Sequence, residues 1–202
     1  MKEFVANDIS IYRNSNKIIS NINFSLVNFS SLIIEGANGS GKTSILKSII
    51  GIIDDYKGHY TLDGQKVSTK IIRQLSLYIG HKNYAHGYLT VQQNLLLWTN
   101  IYNTRLMLPS VIVNFDLENI LDMKYNQLSE GWKRRVSLSR TLLSNKLFWI
   151  LDEPFNNIDT YGCQSVINVI NTRINTGGMV ILTKNTDHKY DIKNSQILNI
   201  ND

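Results

Sequence analysis

The sequence has few residues that would cross-link or break a fold, with one cysteine and two prolines among 202 residues. The single cysteine, Cys163, excludes an internal disulfide, and a reducing compartment is compatible with that. No apolar run reaches the roughly 18 to 20 residues needed to cross a bilayer. Glu3, Asn7 and Asp8 interrupt the apolar stretch that a signal peptide needs. We therefore expect no transmembrane segment of its own, so that any membrane part is supplied by another polypeptide.

The composition is that of a globular domain with a substantial core, since 43% of the residues are hydrophobic and 18% are charged. The length suits one domain over residues 1–202. A formal net charge of +5 fits a solvated lysine-rich surface, or contact with anionic lipid headgroups or nucleic acid. Because no basic run is longer than Lys133-Arg134-Arg135, the solvated surface is favoured and no nucleic-acid partner is expected.

Short apolar segments predict strands covered on both faces, and a helical pattern follows between Thr90 and Leu143. Val91, Leu95 and Trp98 share one face of that helical region. The fold class predicted is α/β, a mixed sheet core with an N-terminal antiparallel part and a helical subdomain near residues 83–140. The predicted elements are strands at Phe4–Tyr12, Ile18–Leu26, Leu32–Ile34, Tyr60–Leu62, Ser76–Ile79, Leu147–Leu151, Met179–Thr183 and Gln196–Ile200, with a helix at Thr43–Ile53.

A phosphate loop lies between the third strand and that helix. The run Gly36-Ala37-Asn38-Gly39-Ser40-Gly41-Lys42-Thr43 matches G-x-x-x-x-G-K-[ST]. Its glycines let successive backbone N–H groups point at phosphate oxygens, and the following helix adds its positive end. Lys42 is expected to reach the β- and γ-phosphates, and the Thr43 hydroxyl to ligate Mg²⁺. The sequence therefore predicts a Mg-nucleotide site.

A buried strand, Leu147–Leu151, ends in the acidic pair Asp152-Glu153. Open α/β sheets bind their ligands at strand ends. Asp152 can hold Mg²⁺, and Glu153 can orient or deprotonate the attacking water. The pair supplies a metal anchor and a water-positioning group, which the phosphate loop lacks.

Three further segments complete a resemblance to the ABC ATPases. Leu128–Val136 resembles the LSGGQ signature, Asn156–Asp159 resembles the D-loop, and Tyr12 stands where an aromatic side chain stacks on adenine. The resemblance implies a P-loop ABC-ATPase nucleotide-binding domain that hydrolyses ATP as a head-to-tail homodimer. Ser129 and Gly131 would then contact the partner's nucleotide in trans, and Ser129 is equally suited to cap its helix. The implied nucleotide-binding residues are Tyr12, Gly36, Ala37, Asn38, Gly39, Ser40, Gly41, Lys42, Thr43, Ser44, Ser129, Gly131 and Asp159.

A narrower resemblance is to the ATP-binding subunits of the cytochrome c maturation transporter, a haem exporter. It is carried by Glu35–Ser44, Tyr78–His81, Trp149–Phe155 and Gly177–Thr183. It implies a separate integral membrane subunit (CcmB-like) as partner. It also implies a peripheral location on the cytoplasmic face of the bacterial inner membrane, or on the matrix face of the mitochondrial one.

Two catalytic positions depart from the ABC pattern. Lys82 replaces the Q-loop glutamine, where it either neutralises γ-phosphate charge or is a solvated surface lysine. Asn185 replaces the switch histidine; its amide can hydrogen-bond the γ-phosphate but cannot exchange a proton near neutral pH. His188 is either a nearby substitute or, as we favour, an exposed loop histidine. Glu130 in the signature places a negative charge near an anionic ligand. We therefore expect ATP binding with slow turnover.

The main alternative is an ABC-type ATPase acting on ribosomes or nucleic acid. The basic composition favours it, but such relatives usually carry two cassettes or coiled-coil inserts, for which this length leaves no room. For the transporter hypothesis, Tyr84 and Tyr88 are candidates for exposed contacts with a membrane subunit. The histidines lack metal-like spacing with Cys163, so no zinc site is expected.

Overall fold

The structure, a computed structural model, describes residues 1–185 and 190–200. The strands are β1 (Glu3–Arg13), β2 (Asn16–Val27), β3 (Ser30–Glu35), β4 (Tyr56–Leu62), β5 (Gln65–Val67), β6 (Ser76–Ile79), β7 (Phe148–Leu151), β8 (Met179–Lys184) and β9 (Ser195–Asn199). The α-helices are α1 (Lys42–Ile49), α2 (Thr69–Gln74), α3 (Val91–Tyr102), α4 (Leu108–Asn114), α5 (Glu130–Leu138) and α6 (Thr160–Asn175).

The strands form two sheets of different kinds. One has the order β2-β1-β4-β5 and is antiparallel; the other has the order β6-β7-β8-β3-β9. The β1–β2 hairpin turns at Asn14 and Ser15, which both have positive φ, as its two-residue turn requires. In the second sheet β7, β8, β3 and β9 run parallel. Their carboxyl ends therefore meet at one edge, where Glu35 pairs with Lys184 in register.

The chain divides into two compact units. The first comprises Met1–Tyr78, Lys146–Asp152 and Asn171–Asp202, and the second Ile79–Asn145 and Glu153–Ile170. The first unit is built on an apolar core in which Phe4 stacks on Tyr60, with ring centroids 5.6 Å apart, and meets the edge of Phe148 at 5.1 Å. Strands β7 and β8 are buried along their whole length, which explains their unbroken apolar sequences.

The second unit is mainly helical and contains residues 83–140. A capping box of Thr90 and Gln93 starts α3, and Val91, Leu95 and Trp98 are all buried on it, as their spacing predicts. None of the helices in the described residues is both long and apolar enough to cross a bilayer.

Several predicted elements need correction. The helix expected over Thr43–Ile53 ends at Ile49, because the chain turns at Gly51, whose φ is +63°. The strand expected to start at Tyr60 starts at Tyr56, which pairs with Ile11 of β1. Helices α2 and α6 and strand β5 have no counterpart among the predicted elements.

Candidate nucleotide site and catalytic carboxylates

The phosphate loop joins β3 to α1 and can only be built with glycine at two of its positions. A Cβ on Gly36 would lie 2.5 Å from Ser40 Oγ and 2.7 Å from the carbonyl oxygen of Ile200. Gly41 has a φ of +95°, and a Cβ there would lie 2.6 Å from Ile19 Cδ1. The base of the loop therefore packs tightly against Ser40, Ile200 and Ile19, while Ala37, Asn38 and Gly39 at its crest are exposed.

Lys42, the first residue of α1, is buried with 5% of its surface exposed. Its ammonium donates hydrogen bonds to the carbonyl oxygens of Gly36 at 2.7 Å and Ala37 at 2.8 Å. The loop thus holds a fixed positive charge beside the N-terminal end of a helix, which is an anion-binding arrangement.

Asp152 connects the end of β7 to the phosphate loop. Its carboxylate is 1% exposed. The Thr43 hydroxyl lies 3.0 and 2.9 Å from its two oxygens, and the Thr183 hydroxyl donates to Oδ1 at 2.9 Å. A buried carboxylate needs such partners, because burying it without them is costly. The structure thus brings together the two residues expected to hold Mg²⁺, and their hard oxygen atoms suit that ion.

Two features of the loop fit a nucleotide's phosphates. Ser40 Oγ is buried and has no hydrogen-bond partner within residues 1–185 and 190–200. At Gly39, a Cβ would meet nothing within 4 Å, so this side of the loop is open.

No cluster of three or more His, Cys, Asp or Glu side chains forms a metal site in the described part of the chain. That is compatible with Mg²⁺, which is usually held by one or two carboxylates together with substrate phosphates.

Tyr12 and Ser44 line one cavity of about 480 Å³, together with Ile18, Lys47 and Asp54. The volume lies in the range of roughly 300 to 1,000 Å³ typical of small-molecule sites. The ammonium of Lys57 lies 5.6 Å from the Tyr12 ring centroid. Two residues expected to bind the nucleotide therefore share one pocket in the first unit.

Glu153 belongs to the second unit and has a φ of +48°. Its Oε2 accepts a hydrogen bond from Asn156 Nδ2 at 2.5 Å and lies 3.5 Å from His81 Nδ1. These three residues line a cavity of about 470 Å³. Lys82 lies in the wall of the same cavity, exposed, and its ammonium makes no hydrogen bond or ion pair to any described residue.

Tyr125 also lines this cavity, and its hydroxyl stays protonated across the physiological range. Burial, and secondly the negative charge of Glu130, raise the pKa of Tyr125 to about 12. Cys163 is similarly unsuited to reaction, because burial first and the charge of Asp159 second raise the pKa of its thiol.

The signature segment and the D-loop pack against each other. Ser129 caps α5 by accepting a hydrogen bond from the N–H of Trp132 at 3.3 Å. A Cβ on Gly131 would overlap the carbonyl oxygen of Asn157, so only glycine fits there. Asp159 accepts the N–H of Gly162 at 2.9 Å in the first turn of α6.

These segments line a smaller cavity of about 170 Å³, whose wall includes Ser129, Gly131 and Asp159. The charge of Glu130 outside it is offset, because Lys133 Nζ lies 2.8 Å from its carboxylate. That pairing reduces the repulsion expected from Glu130.

Asn185 follows β8, and its Oδ1 is buried without a hydrogen-bond partner among the described residues. His188, the alternative for that position, lies outside the described residues. The preceding Lys184 pairs with Glu35, the residue before the phosphate loop, at 2.7 Å.

Sequence reasoning missed the contacts by which three residues hold Asp152 and Glu153. The sequence gives Thr183 as a strand end and as part of the run Gly177–Thr183, but not as a partner of Asp152, although strand ends beside β7 are the place to look for one. Asn156 was assigned to the D-loop without a contact to Glu153. Arg134, taken as part of a basic run, is 3% exposed and donates to the backbone oxygens of Gly80 at 2.7 Å and Glu153 at 3.1 Å.

Comparison with known proteins shows the family to which the sequence is similar. The family model described as ABC transporter matches residues 19–156. The cytochrome c biogenesis ATP-binding export protein CcmA of Wolbachia pipientis wMel is 37% identical over 96% of this chain and 96% of its own length. The protein of the same name from Reclinomonas americana is 32% identical over 93% of this chain and 86% of its own length.

Solved structures share the fold. An ABC transporter ATP-binding protein from Pyrococcus furiosus superposes with a TM-score of 0.82 at 22% identity, covering 98% of this chain and 97% of that one. A structure described as the ATP-binding subunit of an ABC transporter gives a TM-score of 0.76 at 23% identity, covering 91% of this chain and 79% of that one.

Proposed function

The chain belongs to the ABC transporter family, and on that premise we propose that it is the Mg-ATP-hydrolysing subunit of a membrane exporter that serves cytochrome c biogenesis. As a member of this ATPase family it binds ATP. The proposal rests mainly on one contact: the hydroxyl of Thr43, in the phosphate loop, hydrogen-bonds to both carboxylate oxygens of the buried Asp152. The relatives named as cytochrome c biogenesis export proteins support the choice of pathway.

In this proposal the phosphate loop holds the triphosphate. The backbone amides of residues 36–44, the side chain of Ser40 and the ammonium of Lys42 bind its oxygens, and Tyr12 contacts the base. Thr43 and Asp152 hold Mg²⁺, which neutralises negative charge on the phosphates when bound. The exposed crest of the loop and the Ser40 hydroxyl, which has no hydrogen-bond partner among the described residues, support this assignment.

Glu153 is the proposed general base. It accepts a proton from water as the water oxygen bonds to the γ-phosphorus, and the bond from that phosphorus to the β–γ bridging oxygen breaks, leaving ADP and phosphate. Lys82 and Asn185 occupy positions where the family has glutamine and histidine. Because the Lys82 ammonium has no acceptor atom where a glutamine carbonyl would accept, and the Asn185 amide cannot take up a proton as a histidine can, we expect slow turnover in which ATP binding carries much of the mechanical work.

Two copies of the chain are proposed to close head to tail around ATP. Ser129 and Gly131 of one copy would contact the nucleotide bound by the other, with Asp159 nearby. The packing of Gly131 against the backbone of Asn157 supports a rigid signature surface, and the start of α5 offers its positive end to an anion.

The membrane part of the exporter is proposed to be a separate CcmB-like integral subunit, whose cargo pathway is haem delivery. Tyr84 and Tyr88 are 63% and 85% exposed, which makes them available for that contact. The chain would then sit on the cytoplasmic face of a bacterial inner membrane or on the matrix face of a mitochondrial one.

Two measurements test the proposal. With Mg-ATP, the Glu153→Gln variant should form a stable dimer by light scattering, while Glu118→Gln, at an exposed acid of the same unit, should behave as wild type. Co-expression with a CcmB-like subunit should move the chain to the membrane fraction. Salt-sensitive association with ribosomes, without membrane recruitment, would support the alternative ATPase class instead.

A further inference from the structure

The carboxylate of Glu153 is held on one side by two nitrogen atoms from different segments. Asn156 lies three residues further along the chain, and its amide donates to Oε2 at 2.5 Å. His81 comes from the segment after β6, and its Nδ1 lies 3.5 Å from the same oxygen. Contacts from two directions to one oxygen restrict rotation of the carboxylate about its last bond.

Hydrogen bonds from Arg134 to backbone oxygens hold the segment that contains His81 near Glu153. Arg134 is 3% exposed, and its guanidinium donates to the carbonyl oxygen of Gly80 at 2.7 Å and to that of Glu153 at 3.1 Å. The guanidinium also donates to Oδ1 of Asn83, two residues after His81 in the sequence, at 3.3 Å. One buried arginine therefore contacts Gly80 and Asn83, which flank His81, and also the backbone of Glu153.

His81 is distinguished from the other histidines in the described part of the chain. His59 and His86 are exposed, and the side chain of neither makes an ion pair or hydrogen bond there. His81 is 66% exposed, but its ring nitrogen faces a carboxylate that is 16% exposed. Lys82 lines the same cavity and adds positive charge near Glu153, whereas Lys133, also in its wall, is paired with Glu130.

We propose that His81 is a positioning residue: it holds the carboxylate of Glu153 in the orientation needed to accept a proton from water. The side chain does not contact the nucleotide in this proposal and acts only through Glu153. This chain has Asn185 in place of the switch histidine. In this proposal His81, from the segment after β6, is the histidine that assists the reaction. The inference rests on the proposed role of Glu153 in ATP hydrolysis.

The test is single-turnover hydrolysis of Mg-ATP by the purified full chain, with the nucleotide dissociation constant measured separately. His81→Leu removes the ring nitrogen and should lower the rate about five-fold, the scale of an exposed ionic contact, with the dissociation constant changed less than two-fold. His81→Asn places an amide nitrogen near the position of Nδ1 and should restore at least half of the wild-type rate. His86→Leu is the matched control and should have the wild-type rate.

A double variant separates this inference from the proposed function. In a Glu153→Gln background, His81→Leu should cause no further loss, because its effect passes through the carboxylate. An unchanged rate in His81→Leu alone, or an equal loss in both backgrounds, would overturn the positioning role. If Glu153→Gln itself hydrolyses ATP at the wild-type rate, the proposed role of Glu153 fails and the positioning role fails with it.

Discussion

The ion pair between Glu35 and Lys184 should contribute strongly to the stability of the first unit. Glu35 ends β3 immediately before the phosphate loop, and Lys184 ends the neighbouring β8 immediately before Asn185. Their charged atoms are 2.7 Å apart, and the two side chains are 13% and 10% exposed. The perturbation is Lys184→Met, which keeps the apolar stem of the lysine and removes its charge.

The expected loss follows from the charge left behind. Removing one partner of a buried ion pair typically costs about 3–5 kcal/mol, because the remaining ion is buried without compensation. Since Glu35 keeps some contact with water, the lower end, about 3 kcal/mol, applies here. For a chain of this size each kcal/mol lowers the Tm by about 2–4 °C, so we expect a fall of about 6–12 °C.

Thermal unfolding followed by circular dichroism gives the comparison. Lys133→Met is the matched control, because it breaks an ion pair of similar length, 2.8 Å, to a Glu130 side chain that is 62% exposed. That change should lower the Tm by no more than about 2 °C. The double variant Lys184→Met with Glu35→Gln should recover at least half of the loss. Equal effects of Lys184→Met and Lys133→Met would refute the reasoning from burial.

Three further changes give distinct outcomes. Gly131→Ala drives a Cβ into the carbonyl oxygen of Asn157; it should cost about 1–3 kcal/mol and, in a Glu153→Gln background, abolish the ATP-dependent dimer that light scattering is expected to show. Asn185→His should raise the single-turnover rate without tightening ATP binding. An unchanged rate would show that asparagine at the switch-histidine position is not what slows hydrolysis. Thr183→Val removes a donor from buried Asp152; it should lower stability in urea by about 1–3 kcal/mol, and a loss below 0.5 kcal/mol would contradict that.

Elements with a strong local signal were predictable from the sequence. The phosphate loop is specified by glycines whose neighbours exclude a Cβ, and Val91, Leu95 and Trp98 mark the buried face of α3. Helix α6 gives a weaker signal, since its sequence TYGCQSVINVINTRIN mixes β-branched, asparagine and glycine residues. Such residues have low intrinsic helix propensity, so tertiary packing stabilises this helix.

The contacts around the two carboxylates depend on pairings that sequence spacing does not record. Thr183 reaches Asp152 only because β8 lies beside β7 in the parallel sheet. His81 lies near Glu153 because Arg134 bonds to the backbones of Gly80 and Glu153. These hydrogen bonds join residues 19 to 54 positions apart in the chain, and only the fold brings them together.

The central claim, that a phosphate loop closed by Lys42 binds Mg-ATP, is tested most directly by calorimetric titration of ATP in the presence of magnesium. The wild-type chain should bind, and Lys42→Ala should bind about 10- to 100-fold more weakly, because it loses a charge-assisted contact with the phosphates. Lys66→Ala, at an exposed lysine of β5, should bind as wild type does. Absence of binding by the wild-type chain, or equal affinity in Lys42→Ala, would contradict the account.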